Sequence, residues 1–268
     1  MVISEFISHF GLPTAQAQGA ELPNFITLLY DKFKDSNFIS FLHHWENIIF
    51  SWIIILFICI LAYLASRKSS LIPSGLQNLM EMVVEVLYNF FVGILGPEGK
   101  KYVPFLGTLF LYILMMNLLG LIPFMKSPSS SINITAALAI IVFVRVQYLN
   151  MKNYGLGKFL YHLAGSPKDA LSWGLVPLIF PSHLITEFAR PLTLALRLFG
   201  NITGEDILIA AFTLLGITIL SAVHSPVGLP LQIPFIFLAL LTSLIQALVF
   251  SLLSTVYILL AFPPKEEH

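Results

Sequence analysis

Long apolar segments, each bounded by a few charged residues, constrain this chain more than any other feature of its sequence. The clearest runs from residue 48 to residue 65 and is stopped by Arg67 and Lys68. A segment of about 18 apolar residues is long enough for one helical crossing of a bilayer. Charged residues make up only 10% of the 268 residues, whereas soluble domains carry about 25%. We therefore predict an all-α integral membrane protein rather than a soluble domain.

Four further apolar regions follow the first and are long enough to cross a bilayer. They occupy residues 103–124, 132–149, 171–223 and 229–262. If each region crosses once, the chain makes five crossings. Nine Lys and Arg residues then fall on one side of the membrane and three on the other. Basic residues are enriched in cytoplasmic loops, so we expect the N-terminus outside and the C-terminus in the cytoplasm.

One segment between the first two spans has a different pattern. Residues 74–95 are amphipathic, because Glu81 and Glu85 interrupt an otherwise apolar run. This pattern is typical of a helix that lies along the membrane surface. We therefore expect a surface helix here and a single membrane domain over residues 48–268. An extramembrane segment over residues 1–47 precedes it.

The last two apolar regions are longer than one crossing needs. As a single helix, residues 171–223 would be about 80 Å long, against a hydrocarbon core of about 30 Å. Ordinary tilts do not absorb this excess. The helix must therefore break, for which Pro177, Pro181 and Pro191 give the opportunity, or it must lie strongly tilted. The final region would be about 50 Å long, so we predict two long, strongly tilted helices.

A stripe of polar residues runs along the first of these long regions. The residues recur at steps of three and four, which places them on one face of a helix. They are His183, Thr186, Arg190, Thr193, Arg197 and Asn201. A polar stripe on an apolar membrane helix is expected to face protein or water rather than lipid.

Arg197 is the most informative residue of the stripe. An arginine near the centre of a membrane helix costs at least about 2.5–3.5 kcal/mol to insert. No acid lies at helical spacing from it, since Glu187 is suited to pair with Arg190 and Glu205 lies about 12 Å along the axis. Its counter-ion must come from a distant part of the chain or from another chain, and another chain is the favoured source.

Several functions are excluded by what the sequence lacks. There is no basic excess for neutralising nucleic-acid phosphates, and no glycine-rich phosphate-binding loop. Cys59 is the single cysteine, so no disulfide framework forms. No Cys/His cluster has the spacing of a metal site. We expect no cofactor, no metal and no nucleic-acid partner.

Four motifs, in the same order along the chain, resemble subunit a of F-type ATP synthases. They are LGLIPF at 119–124, SINITAALA at 131–139, EFARPLTLALRLFGNITGED at 187–206 and IQALVF at 245–250. The resemblance covers most of the chain after residue 40. The combination of RLFGN with a downstream IQALVF is highly specific.

The resemblance implies a role for each polar position near the arginine. Arg197 would face the proton-carrying carboxylates of the rotating c-ring, and Gln246 would pack near it. Asn201 and Asp206 would line a half-channel from the outer side. In the commonest family pattern this acid follows Ala-Gly, whereas here Glu205 and Asp206 follow Thr-Gly. Glu205 is therefore the alternative for this role, although counting from the arginine favours Asp206.

The inner half-channel would be lined by residues nearer the start of the long helix. These are His183, Glu187, Arg190 and Thr193. Two positions depart from the family pattern. Ser131 stands where an aspartate is frequent, and Ala239 stands where a polar or acidic residue is common. Both departures put the usual outer path in doubt.

The implied function is that of a stationary, proton-translocating subunit of the Fo sector, which is not catalytic alone. Its partners would be the c-ring, peripheral stalk subunit b, membrane lipid and the transported H⁺. The expected location is a bacterial inner membrane.

Two other functions compete with this reading. A secondary transporter could use the buried arginine to anchor a substrate, but it would show internal repeats, and none is evident. A purely structural assembly subunit would leave the polar stripe unexplained.

Overall fold

The computed structural model describes residues 24–32, 37–67, 75–163, 170–221 and 229–262, and within these ranges every regular element is a helix. The described ranges contain eight α-helices: α1 Phe25–Lys32, α2 Asn37–His44, α3 Glu46–Ser66, α4 Leu76–Leu95, α5 Val103–Leu119, α6 Ile132–Leu163, α7 Ala170–Ser221 and α8 Ile233–Leu260. Short 3₁₀ turns at Pro97–Tyr102 and Pro128–Ser130 precede α5 and α6.

Six of these helices, α3 to α8, are long and apolar enough to cross a membrane. The chain is therefore an all-α, multi-pass membrane protein, as predicted. Helix α4 is the segment we expected on the surface, and its mean hydropathy of 1.5 is the lowest of the six. It packs against α3, α5 and α8. The five-crossing arrangement with a surface α4 stays a prediction.

Helix α6 is longer than its apolar sequence indicated. We expected the span to end near residue 149, but helical structure continues to Leu163, with a break at Gly155. Gly155 has φ 74° and ψ 158°, a conformation that only glycine adopts without strain. The polar residues before the break extend the helix beyond the apolar segment. Asn153 and Tyr154 there donate hydrogen bonds of 2.8 Å to the carbonyls of Ala261 and Phe262, just past the end of α8.

Helix α7 is continuous over 52 residues, although Pro177, Pro181 and Pro191 lie inside it. Of the two alternatives for this region, the structure has the unbroken helix. Its apolar part, Val176–Ile219, contains 44 residues and is about 66 Å long. Fitting that length into a hydrocarbon core of about 30 Å requires a tilt of about 60°.

The core forms where α5, α6, α7 and α8 meet. Helix α7 packs on α6 and α8, and α5 packs on α8. Leu194, Leu198 and Ile202 lie one turn apart and form the buried face of α7. Phe250 and Ile258 of α8 are fully buried in the same core region. One face of each long helix therefore packs on its neighbours, while other apolar side chains, such as Leu192 and Phe237, stay exposed.

Leu229, just before α8, packs against a glycine of α7. The Leu229 amide donates a 3.1 Å hydrogen bond to the Gly216 carbonyl. A Cβ atom on Gly216 would lie 2.0 Å from the Leu229 carbonyl oxygen. Since atoms cannot approach so closely, only glycine fits here. This contact fixes how far α8 is shifted along α7.

A buried carboxylate joins the N-terminal helices to the loop after α5. Glu46, 8% exposed, forms a 2.8 Å ion pair with Lys126. It also accepts a 3.3 Å hydrogen bond from the Asn24 side-chain amide. The His43 Nδ1 atom lies 3.3 Å from the same carboxylate. Helices α1 and α2 are thus held against the membrane bundle. Residues 1–23 and 33–36, which make up the larger part of the proposed extramembrane segment, lie outside the described residues.

Candidate functional site on helices α7 and α8

Helices α7 and α8 run antiparallel in a fixed register. Three cross-helix contacts show that each step along α7 is matched by an equal step back along α8. The contacts are Arg190 with Tyr257, Asn201 with Gln246, and Glu205 with Thr242. The register places Arg197 level with Phe250, because both lie four residues from the central pair.

Arg197 lies on the outward side of α7. Its side chain is exposed, whereas Leu194 and Leu198 on the adjoining side of the helix are buried. Within the part of the chain that the structure describes, Arg197 makes no ion pair and no hydrogen bond. The sequence argument that Arg197 lacks a local counter-ion agrees with this geometry. A permanent cation on an outward membrane face is costly unless something outside the chain meets it.

The surface around Arg197 is made of short side chains. Thr193 and Asn201, one turn away on either side, are both exposed. Gly200 and Gly204 have open space where a Cβ atom would stand. A second helix could therefore approach the α7 backbone closely on this face, as small residues allow between membrane helices.

Asn201 and Gln246 form the polar contact nearest to Arg197. The Asn201 side-chain amide donates a 2.8 Å hydrogen bond to the Gln246 Oε1 atom. Gln246 is buried, at 3% exposed, and its Nε2 atom has no hydrogen-bond partner among the described residues. The expectation that Gln246 packs near the arginine level is consistent with this contact. The pair also fixes the two helices at their centre.

Two acids follow on the far side of this pair. Glu205 lies one turn beyond Asn201, half-buried, and its carboxyl interacts with the Thr242 hydroxyl of α8. Asp206 is also half-buried and has its own polar contact. Both acids lie about 12–14 Å along α7 from Arg197, and Glu205 is engaged with α8.

A second polar cluster lies on the other side of Arg197. Arg190 and Glu187 form an ion pair of 2.8 Å, which confirms the pairing predicted from their spacing. The Gln147 amide of α6 donates to the other oxygen of Glu187 at 3.1 Å. The Arg190 guanidinium stands 5.4 Å from the ring centre of Tyr257. A shallow recess with room for about one water molecule opens beside the pair.

The remaining predicted residues are not part of this cluster. His183 is exposed one turn before Glu187, and Thr193 is exposed and donates to the Ala189 carbonyl of its own helix. Of the two departures from the family pattern, Ser131 lies at the start of α6 and receives backbone hydrogen bonds there. Ala239 is buried, at 1% exposed. Neither position supplies a charge to the site.

Sequence reasoning missed a buried polar chain between α5 and α8. Ser129 donates to Asn117 at 2.6 Å, and Asn117 donates to the Ser243 carbonyl at 3.3 Å. An amide inside the apolar span of α5 was the available signal for this contact. Sequence reasoning also missed Gln147, which contacts Glu187, and Tyr257, which contacts Arg190. Both are distant in sequence from the residues they contact. No group of three metal-ligating side chains occurs in the described ranges.

The fold and site together define a multi-pass membrane protein whose 52-residue helix presents an arginine outward, without a partner among the described residues. A family model described as ATP synthase A chain matches residues 48–259, and the chain belongs to this family. It is 58% identical over 247 residues to ATP synthase subunit a of Protochlamydia amoebophila, covering 92% of this chain and 91% of that protein. It is 40% identical over 213 residues to ATP synthase subunit a of Solidesulfovibrio magneticus, covering 80% of this chain and 82% of that protein.

Proposed function

We propose that this chain is the stationary proton-translocating subunit of the Fo sector of a rotary ATP synthase. Its membership of the ATP synthase A chain family and its multi-pass helical fold support this function. The observation that carries the residue-level proposal is Arg197, a permanent cation on the outward face of α7 with no partner among the described residues. The partner that would meet it is a carboxylate of the c-ring.

Two half-channels on opposite sides of Arg197 would connect the ring to the two membrane faces. The polar groups of α7 fall into two clusters, which supports this arrangement. One contains Asn201, Glu205 and Asp206, and the other contains Glu187 and Arg190. The members of the two clusters lie about 6–15 Å along the helix from Arg197, one cluster on each side of it.

The proposed cycle moves one proton at a time through the ring. A proton enters through the outer half-channel, passing Asn201 and Asp206, and neutralises a ring carboxylate. The neutral carboxyl then travels through lipid and releases its proton into the inner half-channel. Arg197 lowers the pKa of the carboxylate that arrives beside it, because an adjacent cation favours the charged form. Its fixed charge also repels protons that would pass directly between the half-channels.

The subunit does not catalyse ATP chemistry alone and acts with the c-ring and with peripheral stalk subunit b. The relatives described above are bacterial, which supports placement in a bacterial inner membrane. The basic-residue bias supports a cytoplasmic C-terminus. A reporter fused to each terminus tests the topology, since five crossings require the two reporters to lie on opposite sides.

Replacing Arg197 tests the function itself. Arg197→Ala should abolish proton-driven ATP synthesis and raise passive proton flux in vesicles. Arg197→Lys should largely fail too, because an ammonium lacks the planar fork that binds carboxylates and can lose its proton when desolvated. Arg67→Ala removes an equal charge from the exposed end of α3 and serves as the control. An Arg197→Ala complex that assembles with its ring and synthesises ATP at near the normal rate would refute the proposal.

A further inference from the structure

We propose that Gln147 of α6 is a positioning residue that holds Glu187 on Arg190 and so keeps the Arg190 charge neutralised in the inner half-channel. This inference rests on the proposed function, in which the inner half-channel begins at this cluster. Gln147 lies 40 residues before Glu187, on a different helix, and the polar stripe of α7 gives no indication of it.

The contacts around Glu187 leave neither carboxylate oxygen free. The Glu187 Oε1 atom receives the Arg190 guanidinium at 2.8 Å, and its Oε2 atom receives the Gln147 side-chain amide at 3.1 Å. The Gln147 Oε1 atom, in contrast, is buried without a hydrogen-bond partner among the described residues. Burying an acceptor without a partner is unfavourable. The side chain therefore keeps its contact to Glu187 at the expense of its own carbonyl.

The cation is held from the other side by α8. The Tyr257 ring faces the Arg190 guanidinium at 5.4 Å, within the range of a cation–π contact. Phe143, one turn before Gln147, packs against Phe188 with ring centres 5.7 Å apart. This contact fixes α6 against α7 beside the pair. Three helices thus converge on one ion pair.

Among the residues that the structure describes, few other charges reach this pair. On α7, His183 is exposed one turn before Glu187. On α6, Arg145 lies over the Tyr102 ring at 5.8 Å, away from the pair. On α8, Tyr257 is the titratable group that faces it. The charge balance of this cluster therefore depends on Glu187 staying in contact with Arg190.

Releasing Glu187 would expose a second cation on the proton path. Arg190 lies seven residues from Arg197, about 10 Å along the helix. An unpaired charge at that distance, at an effective dielectric constant of about 20, changes proton occupancy on the order of tenfold. Pumping driven by ATP hydrolysis would then need about ten times more protons on the inner side, because a positive charge disfavours proton binding.

The experiment uses the whole complex reconstituted in vesicles and measures ATP-driven proton pumping against the pH on the inner-channel side. Gln147→Met keeps the side-chain length but removes the amide. Gln147→Asn keeps the amide but is too short to reach Glu187. Both should shift the pH profile of pumping by about one unit to the acid side. In a Glu187→Gln background, Gln147→Met should cause no further shift, since no carboxylate remains to be positioned.

The chain offers a matched control on an exposed surface. Gln77 of α4 donates a 2.7 Å hydrogen bond to Glu81, so Gln77→Met removes the same kind of contact away from α7. It should leave the pH profile unchanged. An equal loss of pumping at every pH in the Gln147 variants would indicate a packing role and overturn the inference. Failure of both Gln147 variants to assemble with the ring would overturn it as well.

The outcome for Arg197 separates this inference from the proposed function. If Arg197→Ala abolishes synthesis while Gln147→Met behaves like Gln77→Met, only the role of Gln147 is refuted. If Arg197→Ala retains near-normal synthesis in an assembled complex, the proposed function fails, whatever the Gln147 variants do.

Discussion

Replacing Asn201 by leucine should destabilise the chain more than replacing its partner Gln246 by leucine. Gln246 is 3% exposed, and the Asn201 amide, at 2.8 Å, is its hydrogen-bond donor. Without Asn201, both polar atoms of the buried Gln246 amide lack a partner among the described residues. A buried polar group left without a hydrogen bond costs about 1–3 kcal/mol.

The reverse substitution leaves a different residue unpaired. Asn201 is exposed on the outward face of α7, so after Gln246→Leu its amide can bind water or a partner. The loss is then only the net value of one interhelical hydrogen bond, about 0.6 and at most about 1.7 kcal/mol in membrane proteins. The two single variants should therefore differ by about 1 kcal/mol. The double variant should recover much of the Asn201→Leu loss, because it removes both polar partners together.

Thermal unfolding in detergent measures this difference. One kcal/mol shifts the midpoint by about 2–4 °C in a chain of roughly this size. Thr193→Val, on the same exposed face of α7, is the control and should shift the midpoint little. A larger loss for Gln246→Leu, or strictly additive losses in the double variant, would refute the argument that Asn201 satisfies the buried Gln246 amide.

Three further predictions follow from other contacts. Asp206→Ala should slow proton-driven ATP synthesis more than Glu205→Ala does. The opposite order would show that Glu205, and not Asp206, is the acid of the outer half-channel. Lys126→Met should lower thermal stability by roughly 2–4 kcal/mol, because it leaves the buried Glu46 carboxylate without its cation, and adding Glu46→Gln should restore part of the loss. Gly216→Ala should reduce the yield of folded protein, measured by size-exclusion chromatography, since its Cβ would meet a carbonyl oxygen at 2.0 Å; Gly157→Ala, where space is open, should have no such effect.

Local sequence patterns predicted the helices and the stripe because both depend on neighbouring residues. The spans of α3, α7 and α8 begin within a few residues of their predicted starts. The Glu187–Arg190 pair was predictable for the same reason, since three residues bring the two side chains to one face of a helix. The end of α6 was not, because polar residues after residue 149 remain helical outside the apolar segment.

Contacts between distant segments could not be predicted in this way. Gln147 and Tyr257 meet the ion pair only because α6, α7 and α8 pack in one particular register. That register is set partly by Gly216, which in the sequence is one glycine among 16. The buried pair of Glu46 and Lys126 spans 80 residues. Hydropathy alone gave no reason to bring those two charges together.

The ties along α7 and α8 also determine how stiff the helix pair is. A long helix resembles a slender beam, and the sideways deflection of a beam rises with the cube of its unsupported length. The pair is joined near the start of α8 by Gly216 and Leu229, at the centre by Asn201 and Gln246, and toward its far end by Arg190 and Tyr257. Each free stretch between ties is therefore short. A sideways load applied at Arg197 falls in the shorter stretch, between the ties at Arg190 and Asn201. It therefore bends the pair less than the same load applied between Asn201 and Gly216.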